Sequence, residues 1–312
     1  TWAEIVGEKR VFHQRQRRQA LLARYAGRDE NPEAVPETIC FQGLPAKPPR
    51  RPAHGSQRSP DLPRPAPPFS PTPPRELDLG DGVTLTMVRI PASGGALWIG
   101  RSEITNAQFA RFDATHDSRL EHGDFLQFSV RARGYPVNQP RQPVVRVSWN
   151  RATAFCEWLS ARTGQVFSLP TEQEWELACR AGTQSPMWYG ALATDFGKMA
   201  NLADSSLRNV DTFGFGLPSG AIPPWRPAVT SVNDTFRVSA PVESFQPNPW
   251  GLYDMHGNVA EWTKTPAADD RMVVRGGSWY DRPERAQSGS RASHRRYLGV
   301  FDVGFRVVCR SR

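Results

Sequence analysis

The stretch Gly251-Leu-Tyr-Asp-Met-His-Gly-Asn-Val-Ala-Glu-Trp-Thr263 decides how this chain is read. It closes a long region, residues 182–250, that is rich in Gly, Pro, Asn and Ser and shows neither a helical nor a strand period. A loop region of that length inside a domain is unusual unless something local pins it, and metal ions are one candidate pin. Working outward, phrases of the same texture stand on both sides. Downstream are Arg275-Gly-Gly-Ser-Trp279 and Val303-Gly-Phe-Arg306; upstream are Ile104-Thr-Asn-Ala-Gln-Phe109, Pro143-Val-Val-Arg-Val-Ser-Trp149 and Leu169-Pro-Thr-Glu-Gln-Glu-Trp-Glu176. Any one phrase is weak evidence; the ordered set is specific.

Regular elements are expected between the phrases. Val83–Ile90 alternates like a strand, and Pro91 is expected to end it. Thr105 is an N-cap candidate for a short helix to Phe112. Asn150 is expected to cap a helix through Arg162, with Phe155, Trp158 and Leu159 on its inner face. Thr171 and Glu174 form a capping box that opens a third helix carrying Trp175, Leu177 and Ala178. Nine of the ten Trp lie between Trp98 and Trp279, so the packed part of the chain starts near residue 77.

The segment before it differs. Residues 1–27 read as a basic N-terminal helix with Gly27 as C-cap, and 28–76 as a proline-rich extended arm; residues 77–312 form the domain. Residues 45–74 hold twelve prolines, which exclude helix and central strand and favour polyproline II. The arm is either a spacer or a strap across a neighbouring surface. Thirteen basic and seven acidic residues fall in 1–75, a surplus of six out of the chain's net eight. The high isoelectric point therefore describes the arm, and the nearly neutral domain gives no reason to invoke nucleic acid. No apolar run approaches the roughly 18–20 residues of a membrane helix. Four Cys in 312 residues are too few for a disulfide scaffold. The sequence begins at Thr1, so either a presequence has been removed or the sequence is a fragment. A periplasmic or otherwise exported protein is the expectation.

Together and in this order, the phrases resemble the formylglycine-generating enzyme family, the sulfatase-modifying factor domain, over about residues 80–309. The resemblance implies an α+β fold of complex C-type-lectin-like type with little regular secondary structure. Fold does not fix function, because catalytic and non-catalytic lineages share it.

The family's oxidases hold copper between two cysteine thiolates shortly after the Gly-Gly-Ser motif, a use that suits soft sulfur. Here Asp281 stands where the first would fall, and Arg285 or Ala286 where the second would; no Cys occurs between Cys179 and Cys309. That copper site cannot form. An iron-dependent branch needs histidines that are absent as a set: His13, His54, His116, His122, His256 and His294 are scattered singly. Ser278 follows a glycine pair but lacks a Gly-x-Ser-x-Gly elbow, and reads as structural.

Calcium is the surviving metal expectation, since it accepts carboxylates and backbone carbonyls of irregular loops. The resemblance places one site at the Asn201 and Asp234 side chains with the Leu202 and Phe236 carbonyls, where Thr235 replaces a common Gly. It places a second at Asn258 and Glu261 with the Val259 carbonyl. The other reading is that these side chains cap turns. The resemblance also implies a Cys156–Cys309 disulfide, with buried free thiols as the alternative; Cys40 and Cys179 have no compelling partner.

The expected function is a non-catalytic binding or assembly subunit that docks on a larger protein or multi-subunit complex through the arm and a lectin-like surface. The candidate surface is Trp279, Tyr280, Asp281, Arg285, Arg291 and Tyr297, a mixture of aromatics and Arg of the kind found at interface hot spots, with a core role open for Trp279. The alternative is a divergent enzyme of the family that modifies a protein or peptide through an unidentified metal site.

Overall fold

The structure is a computed structural model, and it describes residues 72–92, 95–121, 134–207 and 228–310. The expected basic helix, most of the proline-rich arm, Cys40, His13, His54 and His122 lie outside the described residues.

Three sheets organise the described part. The first has five strands in the order β1 (Arg75–Asp78), β2 (Thr84–Ala92), β3 (Gly95–Gly100), β11 (Val308–Arg310) and β6 (Val166–Ser168). The second runs β10 (Val303–Gly304), β7 (Ala260–Pro266), β8 (Arg271–Arg275) and β9 (Ala292–Arg295), with β10 and β7 parallel. The third pairs β4 (Leu120–Glu121) with β5 (Tyr135–Pro136). Three helices complete the set: α1 (Asn106–Ala110), α2 (Trp149–Thr163) and α3 (Glu172–Arg180).

The five-stranded sheet packs against a core on each face, and β2 shows how. Leu85 and Met87 join a cluster with Phe155, Cys156 and Leu159 of α2, whereas Val88 and Ile90 join one with Trp175, Ala178 and Cys179 of α3. Successive strand side chains point to opposite faces, so one strand serves two cores. Pro91 stays within β2, which runs to Ala92. Beyond Met87 the strand has only β3 beside it, and the missing N–H of Pro91 is not required there.

The caps on α1 and α3 are capping boxes built on Thr105 with Gln108 and on Thr171 with Glu174. The start of α2 differs from the expectation. Ser148, in extended conformation, accepts from the Arg151 N–H; Asn150 already lies in the first turn, and Gly164 at φ 70° ends the helix. The Gly251–Thr263 stretch leads into β7, and three indoles fasten it. Trp175 Nε1 donates to Glu261, Trp262 Nε1 to the Val147 carbonyl and Trp149 Nε1 to the Thr263 carbonyl, all within 2.7–2.9 Å.

Phe155 sits at the centre of the larger core with no exposed surface, 5.6 Å from Phe109 and 5.5 Å from Phe305 between ring centroids. Phe155→Ala should cost about 3–5 kcal/mol through lost burial and a residual cavity. Thermal denaturation should register this as a midpoint lowered by roughly 6–20 °C.

Candidate functional site

The Gly251–Thr263 stretch is bent by its own residues. Asp254, Gly257 and Asn258 adopt positive φ of 57°, 77° and 54°. Gly257 is obligatory: a Cβ there would lie 2.1 Å from the Asn201 carbonyl oxygen. That close approach lets the Asn258 N–H donate to the same oxygen at 2.8 Å, so the 201 loop and the 258 turn meet backbone to backbone.

At the first expected cation site, the Asp234 side chain is held by backbone groups of both loops. Asp234 accepts from the Leu202 N–H at 2.9 Å and from the Phe236 N–H at 2.8 Å. Sequence reading missed Asp204, which is fully buried and accepts from the Asp234 and Ser206 N–H groups. Burial, and then the Asp204 charge, push the Asp234 carboxyl up to about 8. Two carboxylates facing each other without water favour either a proton or a cation. Asn201 donates to the Val238 carbonyl and to Asn258 Oδ1, while its own Oδ1 is buried without a hydrogen-bond partner. Thr235 takes φ 77°, the left-handed conformation that a glycine would adopt freely.

At the second expected site, the structure commits Glu261 elsewhere. Both of its oxygens receive the Arg306 guanidinium at 2.6–2.9 Å, and one also receives the Trp175 indole. Arg306 is fully buried and spends its other donors on the Gly100, Arg101 and Tyr253 carbonyls. Asn258 Oδ1 accepts from Asn201 Nδ2 and the Ala240 N–H, and Val259 is core. The uncompensated groups are two that sequence reading missed, Glu103 and Asp254. Glu103 Oε1 accepts from Asn258 Nδ2 at 3.1 Å and Asp254 Oδ2 from the Glu243 N–H at 2.8 Å. Their other oxygens, Glu103 Oε2 and Asp254 Oδ1, are buried without a partner. Burial raises both carboxyls, Glu103 well above the usual range and Asp254 to about 6. Among the described residues no group of three or more His, Cys, Asp or Glu is placed to hold a metal ion. A cation at either place would draw on one or two carboxylates and make up its shell from amide and carbonyl oxygens, donors that calcium accepts.

Ser278 Oγ accepts from the Tyr280 N–H and lies 3.0 Å from Asp302 and 3.2 Å from Asp281, which fixes a turn. Trp279 is withdrawn from the expected binding surface: it is 2% exposed and packs on Val137, Val145, Val238 and Val259. Tyr280 and Asp281 are half-buried, while Arg285, Arg291 and Tyr297 are exposed. Arg291 reaches Glu172 at the start of α3, and Tyr297 accepts from Arg295 beyond β9. Ala286, near the expected place of the second cysteine, is fully buried.

Cys156, Cys179 and Cys309 are free, buried thiols. The implied Cys156–Cys309 bridge is absent; both residues belong to one core cluster, but Cys309 Sγ turns to Gln165 Oε1 at 3.2 Å. Burial pushes the Cys156 thiol far up and the Cys179 thiol up to about 12, so neither is a ready nucleophile. Cys179 Sγ is 3.6 and 3.8 Å from the two ring nitrogens of His256, which places it over the ring. His256 Nδ1 donates to the Ala286 carbonyl and Nε2 accepts from the Trp188 N–H, so the imidazole is neutral and fully used. Burial lowers its pKa to about 4. Among the described residues no helix is long and apolar enough to cross a membrane.

Comparison with known proteins agrees with this architecture. The Sulfatase-modifying factor enzyme 1-like domain matches residues 89–311. The mouse (Mus musculus) "Inactive C-alpha-formylglycine-generating enzyme 2" is 35% identical over 175 residues, covering 53% of this chain and 48% of the relative. The bovine (Bos taurus) formylglycine-generating enzyme is 29% identical over 193 residues, covering 55% and 45%. The chain thus spans about half the length of these curated relatives. Two solved structures share the fold. Treponema denticola variable protein 1 has a TM-score of 0.57 at 21% identity, covering 77% of this chain and 100% of that one. PvdO from Pseudomonas aeruginosa has a TM-score of 0.55 at 22% identity, with the same coverage.

Two substitutions test the site's energetics. Arg306→Met leaves the Glu261 charge buried and should cost about 3–5 kcal/mol, whereas adding Glu261→Gln should recover part of that loss. Chemical denaturation of both variants measures the difference, and a double variant no more stable than the single would contradict it. Thr235 is exposed, so Thr235→Gly should stabilise by about 1 kcal/mol as the left-handed strain is relieved. A midpoint raised by roughly 2–4 °C is the expected readout.

Proposed function

The chain belongs to the Sulfatase-modifying factor enzyme 1-like domain family, and on that premise we propose that it works as a non-catalytic binding or assembly subunit. The observation that carries the reading is the composition of the segment after Gly276-Gly277. Asp281 and the buried Ala286 stand there, and no cysteine occurs between Cys179 and Cys309. Two thiolates held together are what copper chemistry of this class requires, and the three described thiols are buried, with burial raising each of them towards the protonated form. The name of the mouse relative points the same way for that protein.

In this reading the partner is a larger protein or complex. The basic, proline-rich arm supplies the tether and exposed Arg285, Arg291 and Tyr297 contribute contacts from the domain. Calcium is the resident ion and its role is structural. The first ion would be held by the loop of Asn201, Leu202, Asp234 and Phe236, where Asn201 Oδ1 has no partner and Asp204 adds charge. The second would be held behind Asn258, not by Glu261 but by the unpartnered oxygens of Glu103 and Asp254. There, Asp254, Arg306 and Glu261 all act on the buried Glu103 carboxyl, whose raised proton affinity marks a place that either a proton or a cation relieves.

The test has two arms. Purified chain supplied with Cu(I), oxygen and a cysteine-containing peptide should leave the cysteine unchanged by mass spectrometry; turnover to formylglycine would overturn the reading. In the native host, removing residues 1–75 should leave a cooperatively melting domain that no longer co-purifies with its partner. Undiminished co-purification would remove the arm from the proposal.

A further inference from the structure

We propose that the outer edge of β9 is a docking site for an extended acidic segment of the partner, one whose carboxylates stand on alternate residues. This rests on the assembly reading above and gives the partner's contact a chemistry. Among the described residues β9 closes its sheet and pairs with β8 alone. The ladder fixes which backbone groups face outward. The Arg296 N–H donates to the Asp270 carbonyl at 3.2 Å, one step beyond the Arg271–Arg295 pair. Bonded and non-bonded pairs alternate in an antiparallel ladder, so Met272–His294 and Val274–Ala292 are the bonded ones. Ser293 and Arg295 therefore direct their N–H and carbonyl groups away from β8. Both of those carbonyls are taken: Ser293 O accepts from the Arg271 guanidinium, which also donates to Ser293 Oγ at 2.9 Å, and Arg295 O accepts from the Leu298 N–H at 3.0 Å. Among the described residues neither the Ser293 nor the Arg295 N–H has a partner. The edge thus offers donors without acceptors. A further β-strand would bring N–H groups of its own that find no carbonyl here, whereas a carboxylate only accepts.

The side chains carry the same preference. Met272 and Val274 turn to the larger core, so Arg271 and Arg295 share the other face, directly opposite each other across the ladder. Like charges so placed repel, and an anion between them removes the repulsion. The nearby carboxylates are committed elsewhere: Glu172 lies 3.3 Å from Arg291, and Asp270 is 2.8 Å from Arg296. Asp269 and Asp270 act on Arg295 through space from the turn, and its bond goes to the Tyr297 hydroxyl. The two free N–H groups stand ~6.8 Å apart, the two-residue repeat of an extended chain, so carboxylates on alternate residues meet both. On the same face lies a groove of about 520 Å³, walled by Pro266, Ala267, Ala268 and Val273, with Arg291 and Ser293 also lining it. Exposed Tyr297 and Leu298 follow the strand. Small apolar walls beside guanidinium groups suit the aliphatic and acidic side chains of a peptide, and a sugar–phosphate chain has no aliphatic group to place there.

Fluorescence anisotropy of the full chain with a labelled Ser-Asp-Val-Asp-Val-Asp-Ser peptide is the experiment. The same peptide with Asn for Asp and a labelled oligothymidylate serve as comparisons. The acidic peptide should bind at least about 10-fold more tightly than either, because each carboxylate makes charge-assisted bonds. Arg295 is exposed, so Arg295→Gln should leave the melting midpoint unchanged while weakening the acidic peptide by at least about 3-fold. In isotope-labelled wild-type chain, the amide protons of Ser293 and Arg295 should move downfield as the peptide binds, a response that diffuse surface charge does not give. Equal affinity for the Asn peptide, tighter binding of the oligothymidylate, undiminished affinity in Arg295→Gln, or unmoved Ser293 and Arg295 amides would overturn the edge site and leave the assembly reading standing. Formylglycine formation in the copper assay would overturn the assembly reading, and the partner site with it, whatever the acidic peptide does.

Discussion

The buried ion pair between Arg306 and Glu261 is the constraint on which the rest of the domain depends. Arg306 lies between β10 and β11 and Glu261 in β7, so the pair joins the four-stranded sheet to the five-stranded one. The guanidinium also holds the Gly100 and Arg101 carbonyls at the end of β3 and the Tyr253 carbonyl in the turn before β7. Four chain segments therefore share one planar, permanently charged group. A guanidinium suits the task because its fork of donors is rigid and stays charged in the interior. Removing water from such a pair is expensive, and its value lies in fixing which segments meet. The indole of Trp175 adds α3 to the same carboxylate, which brings the second core into register with the first.

Local features of the fold were legible in the sequence wherever neighbouring residues set them. Thr105 and Thr171 announce their helices because the capping partner stands three residues on. The departure at Thr235 was legible too, since a β-branched residue at a position that wants glycine marks a strained turn. Errors arose where tertiary packing chose between local options. Ser148 and Asn150 can both cap a helix, and the bond to the Arg151 N–H decides for Ser148. Pro91 ends a strand only if its N–H is needed. Glu261 offers oxygens to a metal and to a guanidinium equally well, and its partner stands 45 positions away. Glu103 and Asp254 were invisible for the same reason: Glu103 meets Asn258 across 155 residues.

Family membership and chemistry separate in this chain. The parts that hold the fold are complete, including the indole anchors, the Gly257 approach and the Arg306 hub. After the glycine pair, Ser278 lies between Asp281 and Asp302 and holds a turn, and no cysteine follows it before Cys309. Histidine and thiol occur side by side at His256 and Cys179, yet each is satisfied within the core.

The position of Ala286 has a steric consequence. Its carbonyl fixes the tautomer of His256, and its backbone and methyl lie 3.0 Å from where a Cβ on Gly277 would be. A larger side chain there would press on the glycine turn that leads to Ser278. A cysteine at position 286 would thus sit in a sealed interior, whereas one at the neighbouring Arg285 would be exposed. The turn that carries Ser278 therefore tolerates little beyond alanine at position 286, and the imidazole of His256 is held in place by the same tight packing.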